Sequence, residues 1–238
     1  MSQRHGTTGA TPWSALRPSA RRATLSEVRR RCARLPPPGH IRLFEVDQPR
    51  MAALLIPVAE VAGDAALVVT KRSSTMRLHR NDWVFPGGRV EDGESSADAA
   101  RREAAEELGL ELPGVELLGQ LNTRGPILTG YLLDVFVADV TAAGPLRPDP
   151  REVAEVAVLP LSVLTADASY EEWTTMPDHD PGPGLIGRSV AAPVHPLRAF
   201  AVRPGEWLWG LQADVVVELL GHVLAGTDDG SGDGPPPA

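Results

Sequence analysis

Cysteine and long apolar runs are scarce in this chain, and each scarcity excludes a class of protein. Its 238 residues include one cysteine, Cys32, which excludes an intrachain disulfide and a cysteine-ligated zinc site. No apolar run approaches the roughly 18 residues of a membrane helix, and the N-terminus lacks the apolar core of a secretory signal. These absences predict a cytoplasmic protein that makes no contact with a membrane.

Positive charge is carried almost entirely by arginine, because Lys71 is the only lysine. Residues 1–40 contain eight arginines and a single acid, Glu27, although the net charge of the chain is -8. An arginine-rich start is also typical of a mitochondrial transit peptide, but its glycine and proline content favours a composition bias. The rest of the chain is strongly acidic, which argues against a nucleic-acid-binding surface. An anionic substrate would therefore need a metal ion or a local arginine cluster to bind.

Breaker residues divide the chain into three parts. Residues 1–40 are expected to form a flexible arginine-rich arm, with a short helix over 24–34 capped by Thr24 or Ser26. Residues 41–226 are expected to form one compact domain, in which 167–193 form a long insertion or lid. Residues 227–238 are a polar low-complexity tail, predicted to be disordered.

Hydrophobic periodicity within 41–226 predicts a mixed sheet covered by helices, an α/β fold. Residues 51–61 and 65–72 read as strands joined by a turn at 63–64, and 153–159 as another strand. Residues 127–140 are rich in β-branched and aromatic side chains and are expected to form one long strand. Residues 96–108 and 207–224 have helical spacing.

The segment 86–110 contains the turn and capping residues of a loop followed by a helix with defined ends. Residues 86–88 form a Pro-Gly-Gly turn at which the backbone can approach a ligand closely. Ser95 or Ser96 can cap the helix, with Asp98 as a capping-box partner, and Gly109 stands where a left-handed cap would end it.

Three carboxylates stand close together on that helix. Glu103 and Glu107 are four residues apart and Glu106 lies beside them, so their like charges repel unless a cation binds. Hard oxygen ligands in an incomplete cage suit Mg²⁺ or Mn²⁺, with positions left for water and phosphate oxygens. The alternative is a solvated acidic helix face, which is the usual role of such a run.

The whole pattern resembles the Nudix box, G-x5-E-x7-R-E-U-x-E-E-x-G-U, where U is an apolar residue. All of its fixed positions are filled, by Gly88, Glu94, Arg102, Glu103, Glu106, Glu107 and Gly109. The resemblance implies an α/β/α sandwich that cleaves a nucleoside diphosphate derivative with water activated by a divalent metal.

The resemblance also implies roles for individual residues. Glu103 and Glu107 would be metal ligands, with Glu106 a frequent third, and Gly88 would also belong to the metal site. Glu94 and Arg102 would form a structural ion pair between loop and helix. The base would be one of the box glutamates or one on a later loop, where Glu152 and Glu155 are the candidates.

A second motif lies directly upstream of the box and resembles that of coenzyme A diphosphatases, L-L-T-x-R-S/A-x3-R-x3-G-x3-F-P-G-G. It is matched at Thr70, Arg72, Ser73, Arg77 and residues 85–88, whereas Asn81 replaces a glycine. Asparagine tolerates a positive φ better than most residues, which would preserve the turn.

The second motif implies a substrate and the residues that hold it. Arg72, Arg77 and Ser73 are expected to bind phosphate oxygens, and guanidinium groups do so bidentately. Coenzyme A or an acyl-CoA would be cut to 3′,5′-ADP and 4′-phosphopantetheine or its acyl form.

Two other functions remain open from the sequence. One is hydrolysis of ADP-ribose, NADH or a dinucleoside polyphosphate, which Asn81 and the insertion favour. The other is a non-catalytic module that only binds a nucleotide, against which the intact set of box glutamates argues. The oligomeric state is open, and a homodimer is one arrangement that the sequence allows.

Overall fold

The computed structural model describes residues 6–7, 11–74, 80–127, 129–173 and 196–224, which form two β-sheets and four α-helices. Within these ranges no helix has the length and apolar character needed to cross a membrane. The helices are α1 (Leu25–Cys32), α2 (Ser96–Leu108), α3 (Leu161–Leu164) and α4 (Leu211–Leu224). The strands are β1 (Gly6–Thr7), β2 (His40–Ile41), β3 (Arg50–Val61), β4 (Asp64–Arg72), β5 (Trp83–Val84), β6 (Gly87–Arg89), β7 (Glu116–Arg124), β8 (Tyr131–Asp139), β9 (Val153–Pro160), β10 (Tyr170–Trp173), β11 (Leu197–Arg203) and β12 (Glu206–Trp209).

The larger sheet is mixed and is organised around β3. One edge of β3 pairs in parallel with β8, while the other pairs antiparallel with β6 at its beginning and with β4 at its end. The β3–β4 turn consists of Ala62 and Gly63, both at positive φ, as a two-residue hairpin of type I′ requires. Further strands extend the sheet in the order β2-β7-β8-β3-β4-β5, and β9 pairs with β4. This topology holds the loop before α2 against the first half of β3.

Side chains of the large sheet alternate between two cores, as strand geometry dictates. On β3, Leu54 and Ile56 belong to the larger core, whereas Ala53 and Leu55 belong to the smaller one. The larger core is closed by α1 and α4, and the smaller core by α2. Helices therefore cover both faces, which confirms the predicted α/β/α sandwich with a mixed sheet.

The N-terminal segment 11–35 packs against the domain, where the sequence predicts a flexible arm over 1–40. Trp13 is 3% exposed, donates its indole N–H to the Thr165 carbonyl at 2.7 Å, and packs against Tyr170 and Phe200. Helix α1 lies within the predicted 24–34, with Thr24 as its N-cap and Glu27 completing a capping box. A few apolar side chains therefore anchor this segment to the domain, although the composition of 1–40 is mostly polar.

Two predicted elements have different boundaries in the structure. The long strand expected over 127–140 is limited to β8, because Gly130 adopts a positive φ of 83° just before it. The helix expected over 207–224 begins at Leu211, since 206–209 form β12 and Gly210 turns the chain at φ 61°. The strands 51–61, 65–72 and 153–159 and the helix 96–108 agree with the structure to within one residue at each end.

The smaller sheet, in the order β1-β10-β11-β12, is antiparallel and contains the start of the predicted insertion. Tyr170 and Trp173 of β10 are buried, so 167–173 belong to the packed structure. The remainder of that insertion, 174–193, lies outside the described residues, as does the predicted tail 227–238.

Candidate active site

Helix α2 presents its carboxylates to the loop that precedes it because both of its ends are fixed. The Ser95 hydroxyl accepts from the Asp98 backbone N–H at 3.1 Å and donates to the Asp98 carboxylate at 2.6 Å. Gly109 ends the helix in the left-handed conformation at φ 67°. Ala99, Ala100 and Ala104 are fully buried, and such small side chains let the helix lie close to the sheet. Glu103 and Glu107 are consequently held at the β6 side of the helix.

Gly88 provides the space that the Glu103 carboxylate occupies. A β-carbon built on Gly88 would lie 2.6 Å from Glu103 Oε2 and nearer still to the other carboxylate oxygen. At the neighbouring Gly87 a β-carbon would meet the Ala53 carbonyl oxygen and come within 2.7 Å of the Leu54 side chain. Gly88 therefore leaves space for the Glu103 carboxylate, and Gly87 leaves space for the neighbouring strand β3.

Glu107 is a buried carboxylate, with only 4% of the residue exposed. Burial raises its pKa to about 8, although the nearby Arg72 guanidinium and the Gly87 backbone N–H both act to lower it. Glu103 and Glu152 raise it further by charge repulsion. The low dielectric around Glu107 thus disfavours its charged form, and a bound cation would favour it.

Glu103, Glu106 and Glu152 complete the acidic group. Burial raises the pKa of Glu103, Arg102 acts to lower it, and the charges of Glu106 and Glu152 raise it. Glu152 lies on the exposed turn before β9, and its carbonyl accepts from the Ser73 backbone N–H at 2.7 Å. Glu106 is the most exposed of the helical carboxylates. The structure therefore brings all four predicted glutamates into one electrostatic group.

The predicted ion pair between Glu94 and Arg102 is present and is bidentate. Arg102 Nε lies 2.9 Å from Glu94 Oε1, and its Nη2 lies 3.1 Å from Oε2. The same guanidinium donates to Glu103 Oε1 at 2.9 Å and to the Arg89 carbonyl at 3.0 Å. One arginine therefore connects the loop, β6 and the Glu103 carboxylate.

The upstream motif is only partly described. Arg77 lies outside the described residues, whereas Arg72 is close enough to Glu107 to affect its pKa. Ser73 is buried and its backbone is bonded to Glu152, so the motif contacts the acidic group. Asn81 adopts φ 59°, as expected for a residue in a glycine position, and its N–H donates to the Arg72 carbonyl at 3.2 Å.

Glu155, the second candidate base, is held in ion pairs on the other face of the sheet. It pairs with Lys71 at 3.3 Å and with Arg203, which lower its pKa. Lys71 also pairs with Glu206 at 2.8 Å, and Glu206 accepts from the Trp83 indole at 2.8 Å. Alternation along β9 explains the separation from the acidic group, since odd positions of β4 and their partners face α4.

Sequence reasoning missed two residues that fix the loop from the C-terminal part of the chain. Gln212 Oε1 accepts from the Phe85 backbone N–H at 3.0 Å, and Glu206 holds Trp83. Both act immediately before the Pro-Gly-Gly turn. A polar residue at the start of a helix and an acid in a strand have no distinctive sequence pattern, so only the structure reveals these contacts.

The donor set is compatible with a hard divalent cation. Among the described residues, no three His, Cys, Asp or Glu side chains already form a closed metal cage. Mg²⁺ generally binds proteins through one or two carboxylates and keeps several waters, so a closed cage is not required. Gly88, which leaves the Glu103 carboxylate room beside β6, and the buried Glu107 meet that requirement.

Comparison with known proteins identifies relatives. A family model described as NUDIX domain matches residues 48–178. The chain is 37% identical over 140 residues to the uncharacterized Nudix hydrolase NudL of Photorhabdus laumondii, covering 57% of this chain and 71% of that protein. It is 37% identical over 141 residues to the human mitochondrial coenzyme A diphosphatase NUDT8, covering 56% and 57%. It is 36% identical over 143 residues to Nudix hydrolase 3 of Caenorhabditis elegans, covering 58% and 60%.

Most of these matches cover less than two thirds of the relative's own length. A solved structure, the MutT/nudix family protein from Enterococcus faecalis, is 18% identical with a TM-score of 0.47, covering 83% of this chain and 68% of that one.

Proposed function

Because the chain belongs to the Nudix family, we propose that it hydrolyses the phosphoanhydride bond of a nucleoside diphosphate derivative with the help of Mg²⁺ or Mn²⁺. The observation that carries the proposal is the acidic group: Glu103 and Glu107 are largely buried and adjoin Glu152 and Arg72. Buried carboxylates with raised pKa values that converge on one loop are typical of catalytic sites.

The proposed roles follow from position. Glu103 and Glu107 would hold the cation, and Glu106 and the Gly88 backbone would be additional parts of the metal site. A bound divalent cation lowers the pKa of a water molecule and offsets charge that builds up on the phosphate oxygens. Arg72 would orient the diphosphate, because a guanidinium matches two phosphate oxygens.

Glu152 is the proposed acceptor of the water proton. It is exposed, whereas Glu103 and Glu107 are less exposed and would be occupied by the cation. Its backbone is fixed to Ser73, which keeps it beside the loop. Glutamates this close titrate as a set, so the assignment is tested by mutation and not by a single pH profile.

For the substrate we propose coenzyme A or an acyl-CoA, cut to 3′,5′-ADP and 4′-phosphopantetheine or its acyl form. The upstream motif at 70–88 and the similarity to a human protein named as a coenzyme A diphosphatase support this choice. The φ of 59° at Asn81 also supports it, because the one departure from the motif keeps the backbone shape of a glycine.

The test is a substrate panel in H₂¹⁸O with mass-resolved products. Coenzyme A, acetyl-CoA, ADP-ribose, NADH and a dinucleoside polyphosphate would each be incubated with Mg²⁺ or Mn²⁺, and with chelator. We expect the two coenzyme A substrates to be cleaved fastest, with ¹⁸O in one product only, and no cleavage in chelator. Faster cleavage of another substrate would refute the substrate assignment but not the reaction.

Variants test the site. Glu107→Gln should lower kcat by at least about 100-fold, since it removes a charged ligand. Glu60→Gln, at an exposed position at the far end of β3, is the matched control and should retain full activity. Full metal-dependent turnover by Glu107→Gln would show that the site lies elsewhere.

A further inference from the structure

Three side chains meet at one end of the large sheet, next to the site but outside the acidic group. Arg50 begins β3, Arg89 ends β6 and Tyr131 begins β8. The register pairs Arg50 with Tyr131, and Arg89 with Ala52, so the three positions are neighbours across adjacent strands.

The geometry of this trio, Arg50–Tyr131–Arg89, places two cations against one ring. The Arg50 guanidinium carbon lies 4.3 Å from the centre of the Tyr131 ring, and that of Arg89 lies 5.7 Å from it. The two guanidinium groups are therefore within about 10 Å of each other. Contact with an aromatic ring restrains a guanidinium while leaving its N–H groups able to donate to an anion.

Both arginines are exposed, and in the described parts of the chain neither has a carboxylate within salt-bridge distance. Several other arginines, among them Arg29, Arg124 and Arg198, pair with acids. The Tyr131 hydroxyl is buried and has no hydrogen-bond partner among the described residues. Two cations without a carboxylate partner among the described residues thus converge on one ring in a protein with net charge -8.

The trio is connected to the site through the backbone. Arg89 directly follows Gly88, so their α-carbons are about 3.8 Å apart. Arg102 donates to the Arg89 carbonyl at 3.0 Å and to Glu103 at 2.9 Å. Strand alternation turns the Arg89 side chain to the opposite face from Glu103. A group bound at the trio would therefore be a different one from the scissile diphosphate.

We propose that Arg50, Arg89 and Tyr131 form a subsite for a terminal phosphate monoester of the substrate. Two guanidinium groups match the charge and the several acceptor oxygens of such a dianion, and the Tyr131 ring restrains both of them. The inference rests on the proposed function, because it names the part of the substrate that this neighbouring subsite recognises. It makes the trio a specificity determinant that separates 3′-phosphorylated from unphosphorylated nucleotides.

The experiment compares coenzyme A with 3′-dephospho-coenzyme A, which differ only in that phosphate. Losing hydrogen bonds to a charged group lowers kcat/KM by roughly 10–100-fold for each arginine. We expect Arg50→Gln and Arg89→Gln to lower kcat/KM for coenzyme A by that amount, and to change the value for the dephospho form less than twofold. Tyr131→Leu, which removes the ring that restrains both guanidinium groups, should give a smaller loss of the same selectivity. Arg22→Gln, an exposed arginine beside the start of β4, is the control and should leave both values unchanged.

Equilibrium binding separates failure of this inference from failure of the proposed function. Adenosine 3′,5′-bisphosphate should bind the wild-type protein at least about tenfold more tightly than adenosine 5′-monophosphate, and the double arginine variant should lose that difference. If neither coenzyme is cleaved but the difference in binding is present and lost in the variant, the subsite stands and the proposed reaction fails. Equal binding of both probes to the wild type, or equal losses of kcat/KM for both coenzymes, would overturn the subsite.

Discussion

Alanine at position 88 should lower kcat about 100-fold while leaving the stability of the fold almost unchanged, whereas alanine at position 87 should destabilise the fold. Neither glycine has a positive φ, so the backbone of both can accept an L side chain. What differs is the neighbour of the added β-carbon. At Gly88 it is the end of the Glu103 side chain, whereas at Gly87 it includes the Ala53 backbone carbonyl.

The magnitudes follow from those neighbours. The Glu103 carboxylate must retreat by about 1 Å from the added carbon. The rotamer cost of about 0.5–1.5 kcal/mol is largely offset by the 0.4–1 kcal/mol that Gly→Ala contributes through the unfolded chain. Gly88→Ala should therefore change the free energy of unfolding by less than about 1 kcal/mol, while a 1 Å displacement of a catalytic group lowers kcat about 100-fold. Gly87→Ala overpacks the sheet and should cost about 1–3 kcal/mol.

The assay is urea unfolding followed by tryptophan fluorescence, paired with steady-state kinetics over a titration of Mg²⁺. In Gly88→Ala we expect an unchanged unfolding midpoint and a loss of activity that excess metal does not restore. Two results would refute this reasoning: wild-type turnover in Gly88→Ala, or a loss of stability in Gly88→Ala as large as that in Gly87→Ala.

Other predictions concern the N-terminal segment and the loop before α2. Trp13→Ala should destabilise the protein by about 3–5 kcal/mol, measured by chemical unfolding, because it empties a buried aromatic site; a change below 1 kcal/mol would mean that the segment is not anchored. Burial raises the pKa of the Cys32 thiol to about 11, so its contribution to stability is lost as the pH rises towards that value. At pH 8 Cys32 should therefore react with a thiol reagent only at the rate of unfolding, and rapid labelling of the native protein would contradict the docking of α1. Asn81→Gly should keep full activity, whereas Asn81→Val should cost about 1–3 kcal/mol at φ 59°; equal behaviour of the two variants in thermal unfolding would argue against that φ.

Much of the fold follows from periodicity where local and tertiary preferences agree. Helix 96–108 agrees with the structure at both ends, because Ser95 and Gly109 are strong boundary signals. The β3–β4 hairpin agrees because the central residues of both strands are apolar and its turn contains glycine. Strand β7 is not predicted from the sequence, since ELLGQLNTR contains a single β-branched residue, Thr123, and lacks a clear apolar–polar alternation. It forms because β8 lies beside it as a pairing partner.

The predictions for the N-terminal segment and for residues 207–209 were wrong because a few tertiary contacts decide the local structure there. Trp13, Val28 and Cys32 are enough to bind a segment otherwise rich in arginine, and composition averages such residues away. Trp207 and Trp209 have helical spacing with the residues after them, yet they form a strand because β11 offers them a partner. In the site, fixed spacings along one helix made Glu103 and Glu107 predictable, whereas the contacts of Gln212 and Arg50 join segments far apart in the chain.

The packing of Trp13 has a consequence for the order in which the molecule can assemble during translation. Its hydrogen-bond acceptor, the Thr165 carbonyl, lies 152 residues further along the chain, and Phe200 is later still. Helix α1 likewise packs against α4, the last helix of the described chain. Residues 11–35 must therefore wait for the synthesis of α4, and we expect nascent chains to expose one apolar face of the sheet until then. A chaperone that binds apolar segments would then act on this domain until α4 has been synthesised.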